Sequence, residues 1–155
     1  MSSLRFERCD PDDLPASELL AEMEAELNAV YETDDRLGVP RVSSDDLKPP
    51  GGVYLVGWSA ARAVAGGGVR RLAEDLGEVK RMYVRPEARG RGYAACLLGA
   101  LEEAATSLGY AAVRLDTGPR QLHALRLYQG AGYAEIAPYN DNPFASYWAE
   151  KRLER

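Results

Sequence analysis

The sequence predicts an α/β (α+β) fold: a mixed central sheet of about seven strands flanked by helices, in the order βα(α)βββαβαββ. Three observations predict it. Between Val53 and Val84, β-rich runs follow one another with only short turns between them, which is an antiparallel meander. A long helical pattern then separates the strand-like runs Glu78 to Val84 and Ala111 to Thr117, which makes those two strands parallel. The chain has 155 residues, a one-domain length, so residues 1–155 are read as a single domain.

The elements follow in order. Leu4 to Arg8 alternates apolar and charged residues and reads as the first strand. Asp10-Pro11-Asp12-Asp13 is a turn and a helix start. From Ala16 to Tyr31, the residues Leu19, Leu20, Met23, Leu27, Val30 and Tyr31 fall at helical spacing. Glu18, Glu22, Glu24 and Glu26 are interleaved with them, and this acidic face is expected to be solvated. Glu32 to Gly52 reads as a long loop with one helical turn at Ser44 to Leu47, and loops of that length are often functional. Val53 to Trp58 and Ala61 to Leu72 are strands, the second loosened by Gly66-Gly67-Gly68. Glu74-Asp75-Leu76-Gly77 turns the chain into Glu78 to Val84. Pro86 cannot donate to a sheet ladder and stops that strand.

Ala94, Ala95, Leu97, Leu98, Leu101, Ala104, Ala105 and Leu108 then recur at helical spacing. Cys96 lies on the same helix and is expected there as a small apolar residue. After the Ala111 to Thr117 strand, Gly118-Pro119 breaks the chain. Gln121 to Gln129 is a short helix, ended by Gly130-Ala131-Gly132. Tyr133 to Ala137 and Phe144 to Leu153 close the fold as a hairpin around a Tyr139 to Pro143 loop.

Hydrophobic residues make up 46% and charged residues 28%, an ordinary balance for a globular chain. The net charge of -5 argues against a nucleic-acid binder. No run approaches the ~20 apolar residues that span a bilayer, so no membrane association is expected. The N-terminus has no apolar signal segment, which makes a reducing cytoplasm the expected location. Cys9, Cys96 and His123 form no ligand cluster, so no metal is expected.

Chemistry concentrates between the central strand and the long helix, at Arg89-Gly90-Arg91-Gly92-Tyr93-Ala94. The first turn of a helix presents unpaired N–H groups and partial positive charge. Two glycines let an anion approach that backbone, and Arg89 and Arg91 add full charges. This is a site for a phosphate-bearing ligand. The string fits R/Q-x-x-G-x-G/A after a strand and a proline. Gln121-x-x-Ala124-x-x-Leu127-Tyr128-x-x-x-Gly132-Tyr133 fits N-x-x-A-x-x-L-Y-x-x-x-G-F with two departures, Gln121 for asparagine and Tyr133 for phenylalanine. Both departures keep the chemical character. With these two motifs in this element order, nearly the whole chain resembles the GCN5-related N-acetyltransferase (GNAT) superfamily.

The resemblance implies direct transfer of an acetyl group from acetyl-CoA, as co-substrate, to an amine. It implies that the backbone of Met82, Tyr83 and Val84 partners the pantetheine arm like an added strand, with an oxyanion donor near Met82. It implies that Arg89, Gly90, Arg91, Gly92, Tyr93 and Ala94 wrap the pyrophosphate, with Gln121 a further cofactor-binding position. Tyr128 matches the tyrosine that relatives place near the thioester sulfur, a general acid; the alternative is a core aromatic. Glu78 lies where some relatives carry a glutamate base; the alternative is an exposed glutamate at a strand start. Asp116 is a second candidate, and an ordered water a third.

The acceptor is expected to be a small-molecule amine, held by the Glu32 to Gly52 and Tyr139 to Pro143 loops; Glu32, Asp34 and Asp35 are available to a cation, with solvated loop acids as the equal alternative. Monomer and homodimer both stay open. Two competing readings exist. Gly90-x-Gly92-x-x-Ala95 with Asp116 also satisfies a dinucleotide fingerprint, which would make an NAD-dependent oxidoreductase. The preceding meander and the gap from Pro86 to Arg89 count against it. A GNAT-shaped module that binds acyl-CoA without turnover is the other; Tyr128 weighs against that.

Overall fold

The computed structural model describes residues 4–30, 42–119 and 122–154. Among the described residues seven strands form one sheet: β1 (Arg5–Arg8), β2 (Val53–Ser59), β3 (Arg62–Ala73), β4 (Leu76–Val84), β5 (Ala112–Thr117), β6 (Ala134–Glu135) and β7 (Tyr147–Arg152). Their spatial order is β1-β2-β3-β4-β5-β7-β6. The helices are α1 (Ala16–Val30), α2 (Tyr93–Ser107) and α3 (Leu122–Gly130), with a 3₁₀ turn at Ser44–Leu47. The mixed sheet flanked by helices is the fold class the sequence predicts.

One pairing positions everything else. β1 to β4 are antiparallel neighbours, while β4 and β5 are parallel, as a strand–helix–strand crossover requires. The parallel ladder is short. It joins Leu76 to Ala112, Gly77 to Val113 and Glu78 to Arg114, and no later residue of β4 is registered with β5. The C-terminal parts of the two strands therefore leave an opening between them.

Each face of the sheet has its own core. Leu97, Leu98, Leu101 and Ala105 of α2 are buried against Val69, Val79, Val113 and Leu115. On the other face Ala16, Leu19 and Met23 of α1 pack with Tyr54, Val56, Ala63, Tyr83 and Leu47. The Gly66-Gly67-Gly68 run does not loosen β3, because its burial is continuous. A Cβ on Gly66 would lie 2.2 Å from the Tyr54 hydroxyl, and one on Gly68 would lie 2.7 Å from Leu47. These glycines make room for the α1-side core. Leu101 is fully buried at the centre of the other core. Leu101→Ala is expected to lower unfolding stability by about 2–5 kcal/mol, read from denaturant midpoints at constant slope.

Three further readings need correction. The β3–β4 turn is only Glu74-Asp75, since Leu76 and Gly77 already belong to β4. Gly77 fits the strand because Tyr110 lies against it, where a Cβ would approach to 2.9 Å. The closing hairpin is shorter than expected, with β6 reduced to Ala134–Glu135. Cys96 is exposed rather than packed, because it falls between the buried Tyr93 and Leu97 on the outer side of α2.

Nor is the acidic face of α1 simply solvated. Arg85 binds Glu18 at 2.7 Å and Glu22 at 3.0 Å, Arg89 binds Glu26 at 2.7 Å, and Arg81 binds Glu24 at 3.3 Å. Glu18, Glu22 and Glu26 recur every four residues, which lines them up on one side of the helix. That side runs along the end of β4 and the turn after it.

Candidate active site

β4 carries a bulge where it leaves β5. Gly68 lies opposite Lys80 and Gly66 opposite Tyr83, so Arg81 and Met82 together face Gly67. Arg81 has φ of 62°, a left-handed conformation that is uncommon for a side-chain-bearing residue. The extra residue changes the alternation of side chains. Met82 packs with the α2 core and Tyr83 with the α1 core. The expected pantetheine partners Met82, Tyr83 and Val84 thus lie on the part of β4 that has lost β5. The Val84 carbonyl is already occupied, accepting a hydrogen bond from Arg89 Nε at 2.9 Å.

The glycine turn is open. Gly90 and Gly92 both have φ of 80°, which only glycine adopts without strain. A Cβ at either would meet nothing within 4 Å, so the requirement is conformational and the space beyond is free. Gly92 caps α2, whose first turn has neither a side-chain cap nor an acidic residue. Arg91 is exposed, Ala94 is half-buried, and Tyr93 is buried with its ring in the α2 core. Tyr93 can therefore offer a ligand its backbone rather than its side chain. Arg89 is committed elsewhere: its Nη2 donates to both oxygens of Glu26, at 2.8 and 2.7 Å, and its guanidinium lies 5.7 Å from the Tyr83 ring centroid. Gln121, Glu32, Asp34 and Asp35 lie outside the described residues.

Tyr128 reaches the opening from α3. It is buried, and its hydroxyl points to Met82 Sδ at 3.9 Å, a weak acceptor. Burial, and next the charge of Asp116, push its phenol up to about 12. It is thus a protonated hydroxyl with little to hold it, beside the bulge of β4. It also packs against the ring of Tyr133, 5.9 Å away. The acid and core-aromatic readings are therefore compatible.

Glu78 is not an exposed strand-start residue. Its side chain is 0% exposed. One oxygen accepts from Arg70 Nε at 2.6 Å and the other from the Tyr139 hydroxyl at 2.6 Å. Lys80 Nζ stands 3.5 Å from Glu78 and 3.5 Å from Asp116, bridging the two strands across their opening. Asp116 accepts from Asn140 Nδ2 at 2.6 Å and Asn142 Nδ2 at 3.4 Å, and Trp148 Nε1 holds the Asn140 carbonyl at 2.8 Å. The 136–146 segment between β6 and β7 is thereby strapped over the opening on the α1 face. Tyr139, Asn140 and Asn142 fall in the Tyr139 to Pro143 loop expected to hold the acceptor, whereas Arg70 and Lys80 lie on strands that the sequence reading did not tie to the site by side chain. Arg70 is found only once the register sets it opposite Glu78.

The geometry can be compared with known proteins. The model of the acetyltransferase (GNAT) family matches residues 16–133. The chain belongs to the GNAT family. An IAA acetyltransferase of Azospirillum brasilense is 30% identical over 99% of this chain and 100% of its own length. A Klebsiella pneumoniae protein provisionally named an acyl-CoA N-acyltransferase superposes with a TM-score of 0.75 at 31% identity, over 97% of this chain and 98% of that one. A Bacillus subtilis acetyltransferase crystallised in complex with CoA shares the fold, with a TM-score of 0.68 at 17% identity over 99% of each chain. In this GNAT acetyltransferase a glycine turn caps α2, and the parallel strands β4 and β5 part beyond Glu78. Among the described residues no three His, Cys, Asp or Glu side chains cluster as metal ligands, and no helix is long and apolar enough to cross a membrane.

Proposed function

We propose that this GNAT protein, acting as a single cytoplasmic domain, moves the acetyl group of acetyl-CoA to the amine of a small acceptor by direct attack in a ternary complex. One observation carries the reading: the buried Tyr128 hydroxyl is aimed at Met82 Sδ, on the part of β4 that has left β5 and that runs on into the glycine turn. The backbone of Met82 to Val84 takes the pantetheine arm along the open edge of β4, and a freed N–H near Met82 polarises the thioester carbonyl. The Arg89 to Ala94 turn takes the pyrophosphate. Tyr128 donates its proton to the departing thiolate. Glu78 is the final acceptor of the amine's proton, and Asp116 with Lys80 fixes the charge around it. The Azospirillum relative's name and the CoA-bound Bacillus structure both support an acyl-CoA reading. The small acceptor is supported by the strap of Tyr139 to Asn142, which is tied by hydrogen bonds to Glu78 and Asp116 on the α1 face.

Melting temperatures with acetyl-CoA, with NAD and with buffer alone test the cofactor. A rise with acetyl-CoA only is expected; a rise with NAD only rejects the reading. The Arg89–Glu26 pair adds a second prediction. Arg89 must exchange or share Glu26 to meet a pyrophosphate. Both side chains are substantially exposed, so the pair is worth no more than about 1 kcal/mol. Glu26→Gln is therefore expected to tighten acetyl-CoA binding by up to roughly fivefold in calorimetry. A weakened affinity would mean that Glu26 instead holds Arg89 in its binding position.

A further inference from the structure

Glu78 has no direct route to an acceptor. Its side chain is fully buried, and Arg70 and Tyr139 each hold one of its oxygens at 2.6 Å. Among the described residues of the α1 face, Tyr139 is the carrier in contact with Glu78. Arg70, Glu78 and Arg114 are register neighbours on that face, opposite the α2-packed Val69, Val79 and Val113. Tyr139 closes over them from the strap. It is half-buried, with its hydroxyl directed inward to Glu78 and its ring under the Arg114 guanidinium, 5.3 Å from the centroid. Tyr139 meets β4 at Glu78, the last residue paired with β5, and Tyr128 meets it at Met82, so both hydroxyls bear on β4 where it leaves β5.

We propose that Tyr139 is a catalytic residue that receives the acceptor amine's proton and passes its own to Glu78. The inference rests on the acetyl-transfer reading above. As the amine nitrogen forms its bond to the acetyl carbon, its N–H proton moves to Tyr139 Oη, and the Tyr139 proton moves to Glu78 Oε2. The carbon–sulfur bond breaks, and Tyr128 supplies the proton that makes the CoA thiol. After product release, Glu78 and Tyr128 exchange protons with solvent, so the cycle closes. Arg70 and Lys80 set two cations against Glu78, at 2.6 and 3.5 Å. The relay takes its proton from a nitrogen made acidic by bonding to the acetyl carbon, as the step above requires. Burial and the Glu78 charge push the Tyr139 phenol upward, with Asp116 adding and Arg114 opposing. A free phenolate is thus disfavoured, and the two transfers must be concerted.

Amine-dependent thiol release by wild type, Tyr139→Phe, Glu78→Gln and the double variant tests this. Wild-type turnover establishes the acetyl-transfer reading in the same assay, and its absence removes both. Given that turnover, Tyr139→Phe is expected to lower kcat by roughly 10²–10⁴ with unchanged acetyl-CoA affinity, and the double variant is expected to be no slower than the slower single one. The Phe variant's rate should also climb more steeply than wild type toward alkaline pH, because solvent must then take the proton. A near-normal rate, or a reduced rate with a wild-type pH profile, would overturn the relay. The pH profile needs only Tyr139→Phe, so the test stands even if Glu78→Gln fails to fold with Arg70 left unpaired.

Discussion

Tyr128→Phe lowers kcat by roughly 10²–10⁴ and leaves acetyl-CoA affinity nearly unchanged, if the hydroxyl protonates the leaving thiolate. The substitution keeps the ring, so its packing on Tyr133 and its place in the α2-side core survive. Only a weak bond to Met82 Sδ is lost, so the melting temperature should hardly move. The pH dependence follows from the same burial. A phenol pushed up to about 12 keeps its proton well above the ordinary tyrosine range. Loss of the acid by ionisation therefore belongs near pH 12 rather than near ~10, and no alkaline fall from Tyr128 is expected between pH 7 and 10. Turnover close to wild type in the Phe variant, with a small stability loss, would make Tyr128 a core aromatic and solvent the proton source.

Gly92→Asp is expected to weaken acetyl-CoA binding by roughly 10²-fold or more, since like charges a few ångströms apart cost several kcal/mol where screening is partial. The open space beyond Gly92 means that the new side chain collides with nothing in the protein. Its cost to the fold comes from φ of 80°, about 1–2 kcal/mol for a side-chain-bearing residue. Gly109→Ala supplies the control. Gly109 has φ of 94°, also has nothing within 4 Å of its Cβ position, and lies past the other end of α2. It should lose similar stability and no affinity. Calorimetric titration of both folded variants decides the matter, and unchanged affinity in Gly92→Asp would remove the pyrophosphate from this turn.

Much of this was readable from local pattern. The crossover β4–α2–β5 and the glycine turn are contiguous in sequence, so strand, anion site and helix could be read together. Tyr128 carried its own spacing. What stayed hidden depends on residues that meet only after pairing. Glu78 and Arg70 lie on either side of a tight turn, and only the antiparallel register makes them neighbours. Glu78 and Tyr139 are 61 residues apart, and no spacing rule joins them. The acids of α1 looked like an ordinary wet face because Arg81, Arg85 and Arg89 come from a strand end and a turn far along the chain. The bulge at Arg81 left no sequence mark, since the residue that adopts the positive φ is not a glycine.

Thiol release from acetyl-CoA, followed across a panel of small amines and lysine-bearing proteins with mass analysis of the products, tests the central claim most directly. Tyr128, the open β4 edge and the strap tied to Glu78 and Asp116 lead us to expect release that depends on a small amine and yields its acetylated product. Acetyl-CoA binding without amine-dependent release from any panel member would instead make this a non-catalytic acyl-CoA module. Robust acetylation of protein lysines with none of small amines would contradict the small acceptor.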